Sequence, residues 1–363
     1  MRRRLALPCL GTLALCLSLG STALASTVWY VDGVNGDDLN NCKSAQTACA
    51  TIGHAISLAS SGDSVMVAAA TYTENLLIRV SLKITGSGAA STIIDGGYIR
   101  VVYIPNTSTV VALANVTIRN GSAAGGGGIL NRGTLTLTNS TVSGNTAGSE
   151  SSSTGAGIYN GGTLTITNTT LSGNSGNSNF MYGGAIYNSG TLTITNSTLS
   201  GNSAYGYFGG GGGGIYIASG TVGIANATLF GNTAAGYQGG GIFVAKGATV
   251  ILQNSIVTRS STAGNCYGTL ASHGYNMSSD GTCNFSNSGD RNNTFPLLGP
   301  LQNNGGPTFT QALQSGSPAI DAGNPSGCTD GHGHLLKTDQ RGMPRPDKKE
   351  VGCDMGAYER QTD

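Results

Sequence analysis

The side chains able to carry acid–base or metal chemistry sit toward the two ends of this chain. Between Asp95 and Asp280 there is no aspartate, Glu150 is the sole glutamate, and no histidine lies between His54 and His273. The basic residues of that stretch are Arg100, Arg119, Arg132, Lys246 and Arg259. Hydrolysis of a glycosidic bond generally needs two carboxyl groups flanking it. A calcium-dependent elimination needs clustered carboxylates and a positioned base. The central stretch supplies neither, so no catalytic residue, metal ligand or cofactor is assigned, and the expectation leans away from an enzyme.

The C-terminal segment does carry charge: Asp321, Asp330, His332, His334, Asp339, Arg341, Arg345, Asp347, Asp354 and Glu359. A hydrolytic or metal site there is chemically conceivable. A structural role is favoured, because Asp339, Arg341, Asp354 and Glu359 are suited to pinning loops by ion pairs and hydrogen bonds. The two imidazoles of the run Gly331 to His334 do not by themselves make a metal site.

Uncharged recognition is the remaining chemistry. Phe180 and Tyr182, then Tyr205, Tyr207 and Phe208, then Tyr237 lie in three successive segments of similar position. If those segments stack, the rings gather in one region and suit sugar faces or a protein partner. The competing reading is that each ring packs down over its own segment.

A repeat positions these residues. The segments starting at Gly126, Gly155, Gly183, Gly212 and Gly239 are near copies, about 28 residues apart, such as GAGIYNGGTLTITNTTLSGNSG from Gly155. A fixed period of this size means stacked units rather than a closed core. In the second copy Ile158, Leu164, Ile166 and Leu171 point inward from three short strands, with strict alternation in TLTIT. Small turn residues separate them. Ile129, Ile158, Ile186, Ile215 and Ile242 fix the register. Asn115, Asn139, Asn168, Asn196, Asn226 and Asn254 form a second row, and Asn145, Asn174, Asn202 and Asn232 a third. Both are expected to stack as amide ladders. The second row also matches the glycosylation pattern, but an internal turn explains its spacing better.

The repeat resembles right-handed parallel β-helix proteins, the architecture shared with pectate lyases. The GGAI at Gly183 to Ile186 with LSGN at Leu199 to Asn202 resembles the repeats of chlamydial polymorphic outer-membrane proteins, with Leu171 and Leu199 where those have Phe. The outward rows Thr134, Thr136 and Thr138, then Thr163, Thr165 and Thr167, then Thr191, Thr193 and Thr195 resemble the faces of β-helical ice-binding proteins, until Gly223 and Ala225 break the array. Four ordered motifs, at Pro296 to Pro307, Ser317 to Gly323, Asp339 to Pro346 and Cys353 to Glu359, resemble the choice-of-anchor Q domain of secreted bacterial β-helix proteins. No LPxTG-like motif or apolar tail follows, so covalent surface anchoring is not expected.

Residues 1–25 read as a signal peptide: three arginines, an apolar run and a small-residue cleavage site. Six cysteines remain after its removal, and an even number in an exported chain suggests disulfides. Local pairing of Cys42 with Cys49, Cys266 with Cys283 and Cys328 with Cys353 is the simplest of the fifteen connectivities. Only 10% of residues are charged and the net charge is +1, which disfavours nucleic acid and anionic membranes.

The expected fold is all-β: a single-stranded right-handed parallel β-helix of about 28 residues per coil, with a short helical N-terminal cap and a loop-rich C-terminal cap. The expected division is a signal at 1–25, a cap at 26–64, coils at 65–295 and the anchor-like cap at 296–363. The expected role is adhesion or glycan binding without catalysis, secreted, at the cell surface or in the periplasm. The alternatives are a polysaccharide lyase or glycoside hydrolase, and a structural matrix component. The expected partner is a polysaccharide or surface glycan, with no membrane span after signal removal. Oligomeric state is not readable.

Overall fold

The computed structural model describes residues 26–235, 239–260, 264–347 and 352–361. The expected signal peptide and Tyr237 lie outside the described residues.

One coil shows the construction. Ile158–Asn160 belongs to sheet 1, Thr163–Thr167 to sheet 2, Thr170–Ser172 to sheet 3 and Ser175–Tyr182 to sheet 4. Among the described residues these sheets have eight, ten, nine and four strands. Every pairing within them is parallel, each strand bonding its counterpart one coil on, as Thr163–Thr167 does with Thr191–Thr195. The result is a parallel β-helix with the expected period.

Inward positions form continuous apolar columns. Ile129, Ile158, Ile186, Ile215 and Ile242 stack in sheet 1 and are fully buried. Leu164 and Ile166, and Leu171, continue the same columns in sheets 2 and 3. A single coil could not bury these faces, so stability is shared between neighbours.

Sheet 4 corrects one expectation. The segments that link sheet 3 of one coil to sheet 1 of the next, among them those holding Phe180 and Tyr182 and Tyr205, Tyr207 and Phe208, are strands: Thr146–Thr154, Ser175–Tyr182 and Ser203–Gly211. Loops of nearly equal length, held one above another at strand spacing, satisfy their backbone groups by pairing. Unequal lengths are absorbed by register shifts between Ser149 and Ser152 and between Ser178 and Phe180.

The asparagine rows behave differently from one another. Asn145, Asn174, Asn202 and Asn232 form a buried amide ladder, each side-chain Nδ2 donating to the next Oδ1 at 2.9, 2.9 and 2.8 Å. Asn131, Asn160 and Asn188 form another, at 2.8 and 2.7 Å. The row from Asn115 to Asn254 is mainly a backbone device. All six residues have positive φ, between 45° and 59°, where the chain turns from sheet 2 to sheet 3. Asparagine tolerates that left-handed conformation better than most residues. Only Asn254 donates to its neighbour, at Asn226 Oδ1 2.7 Å away.

At the N-terminal end the helix Ile52–Leu58 buries Ile52, Ala55 and Ile56 against the first coils. Thr51 caps it, and the Glu74 carboxylate accepts from the Ile52 and Gly53 amides at 2.9 and 2.7 Å. The strand Val28–Val31 pairs with Ser64–Val67, so sheet 2 already begins within the segment read as cap.

The C-terminal segment departs from a simple end cap. The core at that end is covered by Phe285, with the Cys266–Cys283 disulfide beside it. Residues beyond 296 make an antiparallel hairpin, Leu298–Gln302 with Thr310–Leu313. The chain then lies back along the corner between sheets 2 and 3. Thr308 bonds the Asn168 carbonyl, Thr338 O accepts from Asn196, Thr329 O from Asn226, and Asp354 O from Asn254. The left-handed turns leave polar groups on that corner, and the strap meets one at each of four coils.

Candidate functional site

The ionisable residues of the strap form a buried lock. Arg345 Nε donates to Glu359 Oε2 at 2.7 Å, and Arg341 Nε to Asp339 Oδ2 at 2.8 Å. Glu359 N also donates to Asp339, and Gln340 reaches Thr170 and Thr198 on the coils. Asp339, Asp354 and Glu359 are fully buried in this lock, not aligned along a groove. Near the other end Asp95 is held by Arg119 and Asn120 at 2.9 and 2.7 Å. The remaining strap pair, Asp330 with His334 Nδ1 at 2.9 Å, lies on the surface. The cysteines pair as Cys42–Cys49, Cys266–Cys283 and Cys328–Cys353.

Burial pushes the Asp354 carboxyl up to about 7, and the nearby Glu359 carboxylate adds to the effect. Glu359 itself is raised by burial despite its pairing with Arg345. The folded state therefore binds protons that the unfolded chain releases. This contribution to stability is complete below the ordinary carboxylate pKa and is lost as pH rises through about 7. Thermal unfolding should consequently occur at a lower temperature at pH 9 than at pH 5. Asp354→Asn should flatten that dependence, and equal sensitivity in the variant would place its cause elsewhere.

The aromatic residues divide into two groups. Phe180, Tyr205, Tyr207 and Phe208 are 39, 48, 65 and 74% exposed. They lie on sheet 4, where Phe180 neighbours Phe208 at 6.1 Å and Tyr205 meets Tyr207 edge-on at 5.3 Å. Alternation puts Tyr205 and Tyr207 on the outer side of the sheet, and the irregular register beyond Ser178 leaves Phe208 exposed beside them. Beside them a groove of about 400 Å³ runs across the coils, lined by Ser122, Thr146, Ser175, Asn177, Ser203 and Tyr205. Among the described residues, no carboxylate or cation lines it.

Tyr182 belongs instead to a second group that the sequence reading missed. Its ring packs on Tyr216 at 4.8 Å. Tyr159, Tyr187, Tyr216, Phe243 and Tyr267 form a continuous stack on the outer face of sheet 1, with centroids 5.1, 5.6, 4.5 and 4.8 Å apart and planes within 20°. These residues immediately follow the inward isoleucines in IYN, IYN, IYI and IFV, and Cys266 in the last coil. That position, repeating with the coil period, is the signal that would have found them. Parallel stacking uses up the ring faces, so the ladder offers solvent its edges and phenol hydroxyls. Burial and the neighbouring phenols raise the pKa of Tyr187 and Tyr216, which keeps those hydroxyls as donors.

The two groups meet at Tyr182. Together they make a face with exposed rings, a row of phenol edges repeating every coil, and an uncharged hydroxyl- and amide-lined groove. Such a face can hold a polar, weakly charged chain by stacking and hydrogen bonds. Among the described residues no helix is long and apolar enough to cross a membrane.

Comparison with known proteins places the architecture. No curated protein matches the chain. Among solved structures, pectate lyase Pel9A is similar at 13% identity over 93% of this chain and 98% of that one, with a TM-score of 0.42. Pectin methylesterase from Aspergillus niger is similar at 13% identity over 75% of this chain and 86% of that one, with a TM-score of 0.28. The family model for the right handed beta helix region matches residues 100–294, most of the stacked coils. On that match, and with its parallel sheets in register coil after coil, the chain belongs to the right-handed β-helix family.

Proposed function

We propose that this protein is an exported, non-catalytic glycan-binding protein, with its binding face on sheet 4 and the adjoining ladder of sheet 1. The observation that carries the reading is the grouping of Phe180, Tyr205, Tyr207 and Phe208 beside an uncharged groove. Exposed aromatic residues on a rigid sheet are costly to leave bare and suit the apolar faces of sugars. Export through residues 1–25 is supported by three disulfides, which persist in oxidising compartments. The resemblance of residues 296–359 to the choice-of-anchor Q domain, and of the repeats to polymorphic outer-membrane proteins, supports work at or near a bacterial surface.

The test is binding and turnover with the mature chain, residues 26–363. A panel of polyuronates and neutral polysaccharides should give a bound ligand without unsaturated products or new reducing ends. Tyr205→Ala with Tyr207→Ala and Phe208→Ala should weaken that binding by roughly a hundredfold, taking about 1 kcal/mol per ring. Unchanged affinity in the triple variant would remove sheet 4 from the reading. Product formation would overturn the non-catalytic part.

A further inference from the structure

A second cavity, on the outer face of sheet 2, is built where its threonine rows end. The outward row Thr136, Thr165, Thr193 continues in register to Gly223 and then Ile251. Gly223 lies in the strand Thr221–Ala225, without a positive φ, and a Cβ placed on it would meet nothing within 4 Å. The backbone does not require glycine there. Its effect is to leave a recess one side chain deep in an otherwise continuous face.

The strap forms the wall of that recess. Residues 330–334 cross beside it as a pinned turn: Asp330 accepts from the His332 and His334 amides at 2.8 and 3.2 Å, and from His334 Nδ1. Asn226 holds the Thr329 carbonyl at 2.6 Å, Thr329 Oγ1 bonds Gln253, and the Cys328–Cys353 disulfide fixes the start of the turn. The cavity, open on one side, is about 230 Å³.

The lining defines the ligand. The floor is Gly223 backbone with threonine methyls and Ile251, and the rim carries Thr193, Thr221, His273 and His332. Among the described residues, those four side chains make no hydrogen bond to another group of the chain. Asp330, the carboxylate at the rim, already has both oxygens occupied by the turn. The site therefore combines an apolar floor with hydroxyl and imidazole hydrogen-bonding groups, and its one carboxylate is already engaged by the turn. Its volume lies below the roughly 300–1,000 Å³ of pockets that enclose drug-sized ligands, which limits the occupant to one ring.

We propose that this cavity binds a single neutral pyranose residue, such as the end or a branch of a glycan, independently of the sheet 4 groove. The experiment is saturation-transfer NMR on the mature chain with methyl glycosides of glucose, galactose, mannose and N-acetylglucosamine. At least one should receive saturation, concentrated on one face of the ring. Gly223→Thr restores the row and fills the recess; it should weaken binding by roughly tenfold or more without lowering the unfolding temperature. His332→Ala should weaken it less. Tyr205→Ala with Tyr207→Ala and Phe208→Ala should leave it unchanged, which separates this site from the sheet 4 reading. Absence of saturation with all four sugars, binding that survives Gly223→Thr, or binding lost in the aromatic variant would each overturn the proposal.

Discussion

Arg345→Ala should detach the C-terminal strap and destabilise the protein by about 3–5 kcal/mol, the range for breaking one side of a buried ion pair. The Arg345 side chain is fully buried, and its guanidinium makes three directed bonds: to Glu359 Oε2 at 2.7 Å, Asn196 Oδ1 at 3.0 Å and Gly356 O at 2.8 Å. Truncation leaves the Glu359 carboxylate without its cation, and Glu359 Oε1 already has no hydrogen-bond partner. The Asn196 amide also loses one of its two contacts with the strap, the other being to the Thr338 carbonyl, on the third of the four coils counted from the C-terminal end. Lysine would be a poor replacement, because it cannot reproduce the planar fork.

The loss should be local at first. Amide hydrogen exchange should accelerate in residues 325–361 while the columns of sheets 1 to 3 stay protected. Urea denaturation should then show the strap releasing at lower denaturant than the coils. A double replacement, Arg345→Met with Glu359→Leu, should recover much of the stability, since the surviving charge is what costs most. An unchanged midpoint in Arg345→Ala, with exchange unaltered, would show that the hairpin and disulfide alone hold the strap.

Asn174→Asp should be at least as damaging, and in the coils themselves. Asn174 Oδ1 accepts from Asn145 N and Nδ2, and its Nδ2 donates to Val142 O and Asn202 Oδ1. Every polar atom of this fully buried side chain is used. Aspartate replaces the donor by an acceptor facing two acceptors, in a column with no cation. Orphaning buried groups costs about 1–3 kcal/mol each, more when one is charged, so a loss of about 4 kcal/mol or more is expected. Asn174→Ala should cost less, because it removes bonds without adding a charge.

Solenoid stability is carried by neighbouring coils, so the damage should divide the unfolding into steps on either side of Asn174. Differential scanning calorimetry would show a broadened or split transition, and limited proteolysis would cut near Gly173. A native-like single transition for Asn174→Asp at pH 7 would mean that the ladder is ornamental to stability. The same logic applies to Asn160 in the parallel ladder of sheet 1, which donates to Asn188 Oδ1 and to the Thr191 carbonyl.

The repeat of the sequence by itself determined the β-helix. Period, strand alternation and the isoleucine column are properties of local pattern, and stacking is the way such units bury their faces. The cysteine pairs were also the simplest reading, since partners 7, 17 and 25 residues apart meet without long loops. The aromatic residues of sheet 4 were legible as a group, because equal register in successive coils brings equal positions together.

What the sequence could not decide concerns groups whose partners are far away in the chain. Tyr159 and Tyr187 are single outward residues in sequence, and only stacking in the coils makes a ladder of them. Asn196 and Asn226 read as members of an internal column, yet they serve a strap more than 100 residues later, through Thr338 and Thr329. The gap at Gly223 read as the end of a threonine array, and only the returning turn at Asp330 gives it a wall. Local pattern fixes side-chain direction and coil register. Where a segment without a repeat comes to rest depends on matching polar groups across the surface, and that match exists only in three dimensions.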